Sequence, residues 1–175
     1  SVGTIPIIIL AFFFFEKIDI LLDDSELAFS VATYAITFTG LFLFLTKFFS
    51  NESNKKLTIN KALIIGFAQC IAVIPGISRS GITISTALYL GVDPKDAFKF
   101  SFQLAIPAIL GSSIVKLINI LSVGSEFNFP IVGFFTSFIV GYCSLWILIL
   151  ITKNQKLWYF SIYCFFLGII MNIIF

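Results

Sequence analysis

Apolar residues run along this chain in long blocks separated by short polar clusters. The first block covers about 2–15 and ends in Phe12-Phe13-Phe14-Phe15. An acidic stretch follows at 16–26, with Glu16, Asp19, Asp23, Asp24 and Glu26 opposed by Lys17 alone. The second block, 27–49, carries no charge before Lys47 and is 23 residues long. At about 1.5 Å per residue it reaches about 34 Å, enough to cross a hydrocarbon layer with some tilt. Further blocks lie at 97–122, 129–152 and 157–175. Asp93-Pro94-Lys95-Asp96 opens the first of these, with Asp93 as helix cap and Pro94 at the first helical position. Lys153-Asn154-Gln155-Lys156 is the whole link between the last two, so the spacing predicts that they form an antiparallel pair. The pattern predicts an all-α integral membrane protein, a polytopic helical bundle in one membrane domain over 1–175.

Region 61–90 breaks the pattern. A helix is predicted from about Lys61 to Ile74, stopped by Pro75-Gly76. Residues 75–81 read as a loop, and a second helix runs from about Ile82 to Leu90. Neither arm spans a bilayer, at about 21 Å and about 13 Å. Irregular backbone at membrane depth must be buried in protein or line a wet cavity. The lysines distinguish a re-entrant hairpin from a broken span. With re-entry, Lys47, Lys55, Lys56, Lys61, Lys95, Lys99, Lys153 and Lys156 share one side, and Lys17 and Lys116 the other. With a crossing, the split becomes five against five. An excess of Lys and Arg marks cytoplasmic loops, so the expectation is a re-entrant hairpin opening to the cytoplasm.

Composition narrows the classes. The chain has 175 residues, 59% hydrophobic and 11% charged. Both depart from soluble domains, and the hydrophobicity excludes disorder. Net charge is +2, which leaves no polyelectrolyte surface for nucleic acid. There is no His, so the commonest general base and metal ligand is missing. Cys70, Cys143 and Cys164 lie inside apolar runs without ligand spacing and read as small hydrophobes. The 23 Phe residues are spread over several blocks as packing and lipid-facing bulk. The chain opens on Ser1 rather than Met, straight into an apolar run. It reads as a piece whose N-terminal part lies elsewhere.

The interrupted segment carries the chemistry. Arg79 is the one arginine among 11 basic residues. A charge at membrane depth is expensive and marks function, and a guanidinium holds phosphate on two prongs where an ammonium cannot. Ser78, Ser80 and Thr83 put hydroxyls around it. Gly76 and Gly81 let backbone N–H groups approach a ligand. The second half-helix aims its N-terminus at the loop, which favours an anion. No carboxylate occurs inside a span to neutralise Arg79 instead. Gln69, on the first arm, either faces the loop or makes an interhelical amide contact. Gln103 and Pro107 mark a kink in the 97–122 helix, and Ser112 and Ser113 read as helix-packing residues.

Gly66-Phe67-Ala68-Gln69-Cys70-Ile71-Ala72-Val73-Ile74-Pro75-Gly76-Ile77-Ser78-Arg79-Ser80-Gly81-Ile82-Thr83, followed by the block from Phe100 to Gly111, resembles the bacterial undecaprenyl-diphosphatase family, also called bacitracin-resistance proteins. Val2-Gly3-Thr4-Ile5-Pro6 resembles a stretch just after that family's first third, and the resemblance covers the whole chain. It implies a fold of two inverted repeats, each with a re-entrant hairpin, of which this chain holds the second. It implies hydrolysis of undecaprenyl diphosphate to undecaprenyl phosphate, which recycles the lipid carrier of cell-wall synthesis and confers bacitracin resistance. By that resemblance Arg79, Ser78 and Thr83 are catalytic. Ser80, Gly76, Gly81 and Gln69 bind the diphosphate, with Gln69 at the place of a glutamate in the other repeat. The family's first-repeat motif, Glu-x-x-x-Glu-Phe-Leu-Pro-Val-Ser-Ser-Thr-Gly-His, is absent. The resemblance therefore places the ligands of a divalent cation, Mg or Ca, outside this chain, and implies that residues 1–175 alone are inactive.

The expected partners are a polyprenyl diphosphate, membrane lipids and a second copy in a homodimer, in a multi-pass protein of the bacterial cytoplasmic membrane. The alternative function is a transporter or flippase for an anionic lipid or phosphate, since broken helices at the midplane also mark transporters. A third is a packing subunit without a ligand.

Overall fold

The computed structural model describes residues 2–4, 6, 25–49, 56–122, 130–154 and 156–174. Most of the expected first span and of the acidic segment 16–26 lies outside these residues. The described residues form a 3-10 turn, Val2–Thr4, and helices α1 (Ser25–Phe49), α2 (Ile59–Ile71), α3 (Arg79–Tyr89), α4 (Pro94–Ser122), α5 (Ile131–Lys153) and α6 (Tyr159–Ile174). No strand occurs among them. Three helical stretches are long and apolar enough to cross a membrane: Glu26–Phe49, Pro94–Val115 and Ile131–Thr152. Large apolar side chains such as Phe38, Ile109, Phe138 and Trp146 are exposed along them. A water-soluble chain would bury such surface, so the protein is an all-α membrane protein.

Helix α1 hides its polar groups by local bonding. Thr33 Oγ1 donates to Phe29 O at 2.9 Å, Thr37 Oγ1 to Thr33 O at 3.0 Å, and Thr39 Oγ1 to Ala35 O at 2.9 Å. Each hydroxyl returns its proton to the carbonyl one turn earlier, so it can sit in an apolar helix. At the start of α4, Asp93 Oδ1 accepts from Lys95 N at 2.8 Å, with Pro94 as the first helical residue. This is the cap that the spacing predicts.

Helices α2 and α3 form a hairpin. Ala62 and Ile65, from the first half of α2, share one core cluster with Ala87, Leu88 and Val92, at and beyond the end of α3. The end of one arm therefore lies beside the start of the other. Leu43 and Leu157 join the same cluster, so α3 returns to the end of the bundle where α1 finishes and α6 begins. Lys47 Nζ stacks over the Trp158 ring, 5.0 Å from its centre, at that same end. A turn of polypeptide from far back in the chain closes the hairpin from below. A Cβ on Gly66 would run into the Gly3 carbonyl. A Cβ on Gly3 would in turn meet Ala62 O, Leu104 and Phe100. Only glycine lets the two backbones approach this closely.

The boundaries of the hairpin differ from the sequence expectation. Helix α2 ends at Ile71 instead of Ile74, and α3 begins at Arg79 instead of Ile82. Pro75 disfavours helical backbone at the residue before it. The chain unwinds ahead of it through tighter bonds: Ala72 N to Gln69 O at 3.0 Å, Val73 N to Cys70 O at 3.3 Å, Ile74 N to Ile71 O at 3.2 Å. At the other end Ser78 caps the helix, so Arg79, Ser80 and Gly81 are its first turn and the loop is 72–78.

The last two helices also depart from expectation. Helix α5 packs on α4, and α6 packs on α1. The short link therefore does not make α5 and α6 an antiparallel pair. Small residues decide it. A Cβ on Gly40 of α1 would lie 3.0 Å from Cys164 Cβ of α6. Gly141 of α5 has nothing within 4 Å of where its Cβ would be. Ser112 and Ser113 are exposed rather than packed within this chain, and Pro107 lies inside an uninterrupted α4.

Two outcomes test this arrangement. In a variant without the three native cysteines, Asn60→Cys and Lys95→Cys should react with an impermeant maleimide from one side of the membrane, and Ile131→Cys from the other. Opposite labelling at 60 and 95 would show that the hairpin crosses. Gly66→Ala should destabilise the fold by about 1–3 kcal/mol, as overpacking against backbone does. An unchanged thermal midpoint would refute the Gly3–Gly66 contact.

Candidate active site

The first turn of α3 starts where the hairpin reverses. Ser78 has extended backbone, φ −72 and ψ 109, and its Oγ accepts from Gly81 N at 3.1 Å. Ser78 N donates to Thr39 Oγ1 at 3.2 Å, which bolts the turn to α1. Gly76 has φ 94, and a Cβ there would run onto Ala32 of α1. Its glycine character serves the turn and this close packing. The Gly81 N–H is taken by the Ser78 cap. The amides of Arg79 and Ser80 have no intrahelical acceptor, as in any first turn.

Arg79 is half-buried. Its Nη2 donates to Leu104 O of α4 at 3.4 Å, and its buried Nε has no partner among the described residues. The remaining guanidinium N–H groups and the two amides give an anion-selective corner where α3 directs its positive end. Thr83 is 1% exposed. It donates to Arg79 O at 2.9 Å and lies 2.6 Å from Ser101 Oγ of α4. Ser80 is partly buried and lines the cavity beside the turn.

Gln69 lies on the buried side of α2 with Ala62, Ile65 and Gly66. It is fully buried, and neither amide atom has a hydrogen-bond partner among the described residues. The interhelical amide contact weighed from sequence is therefore not made, and neither is a bond to Arg79. A buried amide left unpaired calls for a water or a ligand oxygen. Further along α3, Ser85 Oγ and Thr86 Oγ1 are also buried and have no partner among the described residues.

A cavity of about 560 Å3 adjoins this corner, between α1, α3, α5 and α6. Ser78 and Ser80 line one part of it, and Leu43, Ile84, Leu148 and Phe160 are among its apolar walls. Gln103 of α4 is exposed and takes no part.

Thus the structure gathers Ser78, Arg79, Ser80, Gly81 and Thr83 in one helical turn and the residue before it. It adds Thr39, Ser101 and the Leu104 carbonyl, none of which stands out in the sequence. A hydroxyl or carbonyl from a neighbouring helix has no local signature. The nearest signal is that Ser101 and Leu104 are three apart and share a face of α4. Among the described residues no group of His, Cys, Asp and Glu could hold a metal. The described residues of the hairpin offer no ligand set for a divalent cation.

The chain resembles known proteins along most of its length. The model of the family described as bacitracin resistance protein BacA matches residues 1–170. The undecaprenyl-diphosphatase of Protochlamydia amoebophila is 42% identical over 144 residues, 79% of this chain and 56% of that relative. That of Korarchaeum cryptofilum is 37% identical over 170 residues, 96% of this chain and 62% of the relative. That of Treponema denticola is 42% identical over 164 residues, covering 90% and 61%. The chain thus spans somewhat more than half the length of these relatives. Matched by that family's model over nearly its whole length, the chain belongs to the bacitracin resistance protein BacA family.

Proposed function

We propose that this chain is the arginine-bearing part of a membrane phosphohydrolase acting on undecaprenyl diphosphate. The observation that carries the reading is the placement of Arg79. It is a guanidinium in the first turn of a buried half-helix, held through one N–H and otherwise uncommitted. The relatives' shared name, undecaprenyl-diphosphatase, supports the substrate. The adjoining cavity supports an amphiphile over a soluble phosphate ester. An apolar pocket of about 300–1,000 Å3 with a few convergent polar groups is the usual form of a ligand site.

In the reaction, water adds to the terminal phosphorus and the bond from phosphorus to the bridging oxygen breaks. The products are undecaprenyl phosphate and inorganic phosphate. Charge develops on the equatorial and bridging oxygens, and such transfers are accelerated mainly by positioning and charge stabilisation. Arg79 would hold the equatorial oxygens on two prongs. The amides of Arg79 and Ser80 would add the partial charge of α3. Ser78 and Ser80 would donate hydroxyl hydrogen bonds from the cavity side. Gln69 would orient a phosphate oxygen or the attacking water. Thr83, already donating to Arg79 O, would hold the turn in place.

Nothing in the hairpin activates the water. The chain has no His, and Asp93 and Asp96 lie at the lysine-rich end beyond α3. We place the base, and any divalent cation with its ligands, in the family's remaining length. The lysine-rich end would face the cytoplasm of a multi-pass protein in the bacterial cytoplasmic membrane. Hydrolysis there would recycle the lipid carrier of the cell wall and underlie bacitracin resistance.

Phosphate release from undecaprenyl diphosphate in detergent tests the reading. Residues 1–175 alone should release none, and co-expression with the N-terminal part of a relative should restore release. In that active protein, Arg79→Lys should lower turnover about ten- to a hundredfold. That is the value of a charge-assisted bond lost from the transition state. Near-wild-type turnover in Arg79→Lys would remove the two-pronged clamp. Lipid flux across vesicles without phosphate release would favour carriage instead.

A further inference from the structure

We infer that Ser101 is a positioning residue for Arg79, acting through Thr83; the inference rests on the proposed role of Arg79. Three hydroxyl and carbonyl groups lie in series. Ser101 Oγ is 2.6 Å from Thr83 Oγ1, and Thr83 Oγ1 is 2.9 Å from Arg79 O. Both side chains are buried, Ser101 being 4% and Thr83 1% exposed.

The protons determine the direction. A hydroxyl carries one proton. Ser101 has no hydrogen-bonding neighbour other than Thr83 among the described residues, so its proton must go to Thr83 Oγ1 or be left unused in an apolar interior. Thr83 then sends its own proton to the Arg79 carbonyl at 2.9 Å, the nearer of its two carbonyl acceptors, Ser80 O lying at 3.4 Å. The alternative direction, Thr83 to Ser101, leaves the Ser101 proton without an acceptor, and burying an unmade bond is unfavourable. The chain therefore runs from Ser101 to Thr83 to Arg79 O.

Helix α4 thus grips Arg79 twice from one face. Leu104, three residues after Ser101, offers its carbonyl to the guanidinium at 3.4 Å. Ser101 fixes the backbone of the same residue through Thr83. One contact sets where the side chain points, and the other sets where its root stands. Hydrogen bonds in series polarise one another in a low-dielectric interior, so removing the terminal donor weakens the second bond as well. An arginine clamp works only if its fork stays aligned with the developing charge. This gives Ser101 a functional role although it never meets the substrate. It also makes Thr83 a committed donor rather than a free hydroxyl.

A double-mutant cycle in the hydrolysing protein tests this. Ser101→Ala should lower kcat/KM about fivefold, the value of one neutral hydrogen bond. In a Thr83→Val background, Ser101→Ala should lower it no further, because the route is already cut. Ser101→Thr, which keeps the donor, should recover most of the loss. A general packing defect would act equally in both backgrounds, and that outcome overturns the inference. Amide hydrogen exchange reads the same coupling without catalysis. Ser101→Ala should speed exchange at the Thr83 amide, while leaving α6 unchanged. If the unsubstituted protein hydrolyses no diphosphate, the proposed function fails, and the exchange measurement still decides the positioning role. Unchanged exchange at Thr83 would sink it.

Discussion

A permanent positive charge in an apolar protein needs somewhere to put its N–H groups. The rest of the hairpin is arranged around that requirement. Arg79 cannot lose its proton, and no carboxylate pairs with it among the described residues. Its environment answers with a helix start, a carbonyl from the next helix and a set of hydroxyls. The guanidinium is partly buried, with one N–H bonded to the Leu104 carbonyl and its Nε without a partner among the described residues. A charge fully neutralised by its own chain would be stable and of no use to a ligand. A charge with no internal partner would be prohibitively expensive. Arg79 stands between those limits, and that balance suits a group meant to meet an anion.

The same requirement explains why the arms are short. A full-length helix would carry its N-terminal amides out to the headgroups, where water satisfies them. Ending α2 at Ile71 and starting α3 at Arg79 keeps a helix terminus inside the bundle. The buried backbone is then served by local devices. Ser78 caps Gly81, Thr39 accepts from Ser78, and the bonds around 69–77 tighten where Pro75 forbids a longer helix. The unpartnered amide of Gln69 marks the one place on α2 where these devices stop short.

The three spanning stretches within 26–49, 94–115 and 131–152 were legible because about 20 apolar residues in a row have few other uses. The hairpin was legible for a related reason: Pro75-Gly76 interrupts a block too short to restart as two spans, and the lysines fall on one side. Its edges were read three residues late at both ends. Gly81 looked like loop, whereas it is a third helical residue tucked against its cap. The α5–α6 pairing failed because a short link limits distance and not orientation, and the glycine faces of α1 and α6 fit each other better. In the site, Arg79 and its hydroxyl neighbours could be read from composition alone. Ser101 could not, since one serine in an apolar helix looks like packing until its neighbour is known.

The contact of the 3-10 turn with the hairpin has a consequence for biosynthesis. Gly3 rests against Ala62 and Gly66, and also against Phe100 and Leu104. Its second pair of neighbours emerges about 100 residues later, on the order of 5–20 s at ribosomal rates. During that interval the turn has at most one of its two walls. The Gly3 turn therefore cannot complete its packing until α4 arrives to close the far side. The arginine corner is likewise complete only once α4, the helix that supplies its carbonyl and its serine, has been delivered.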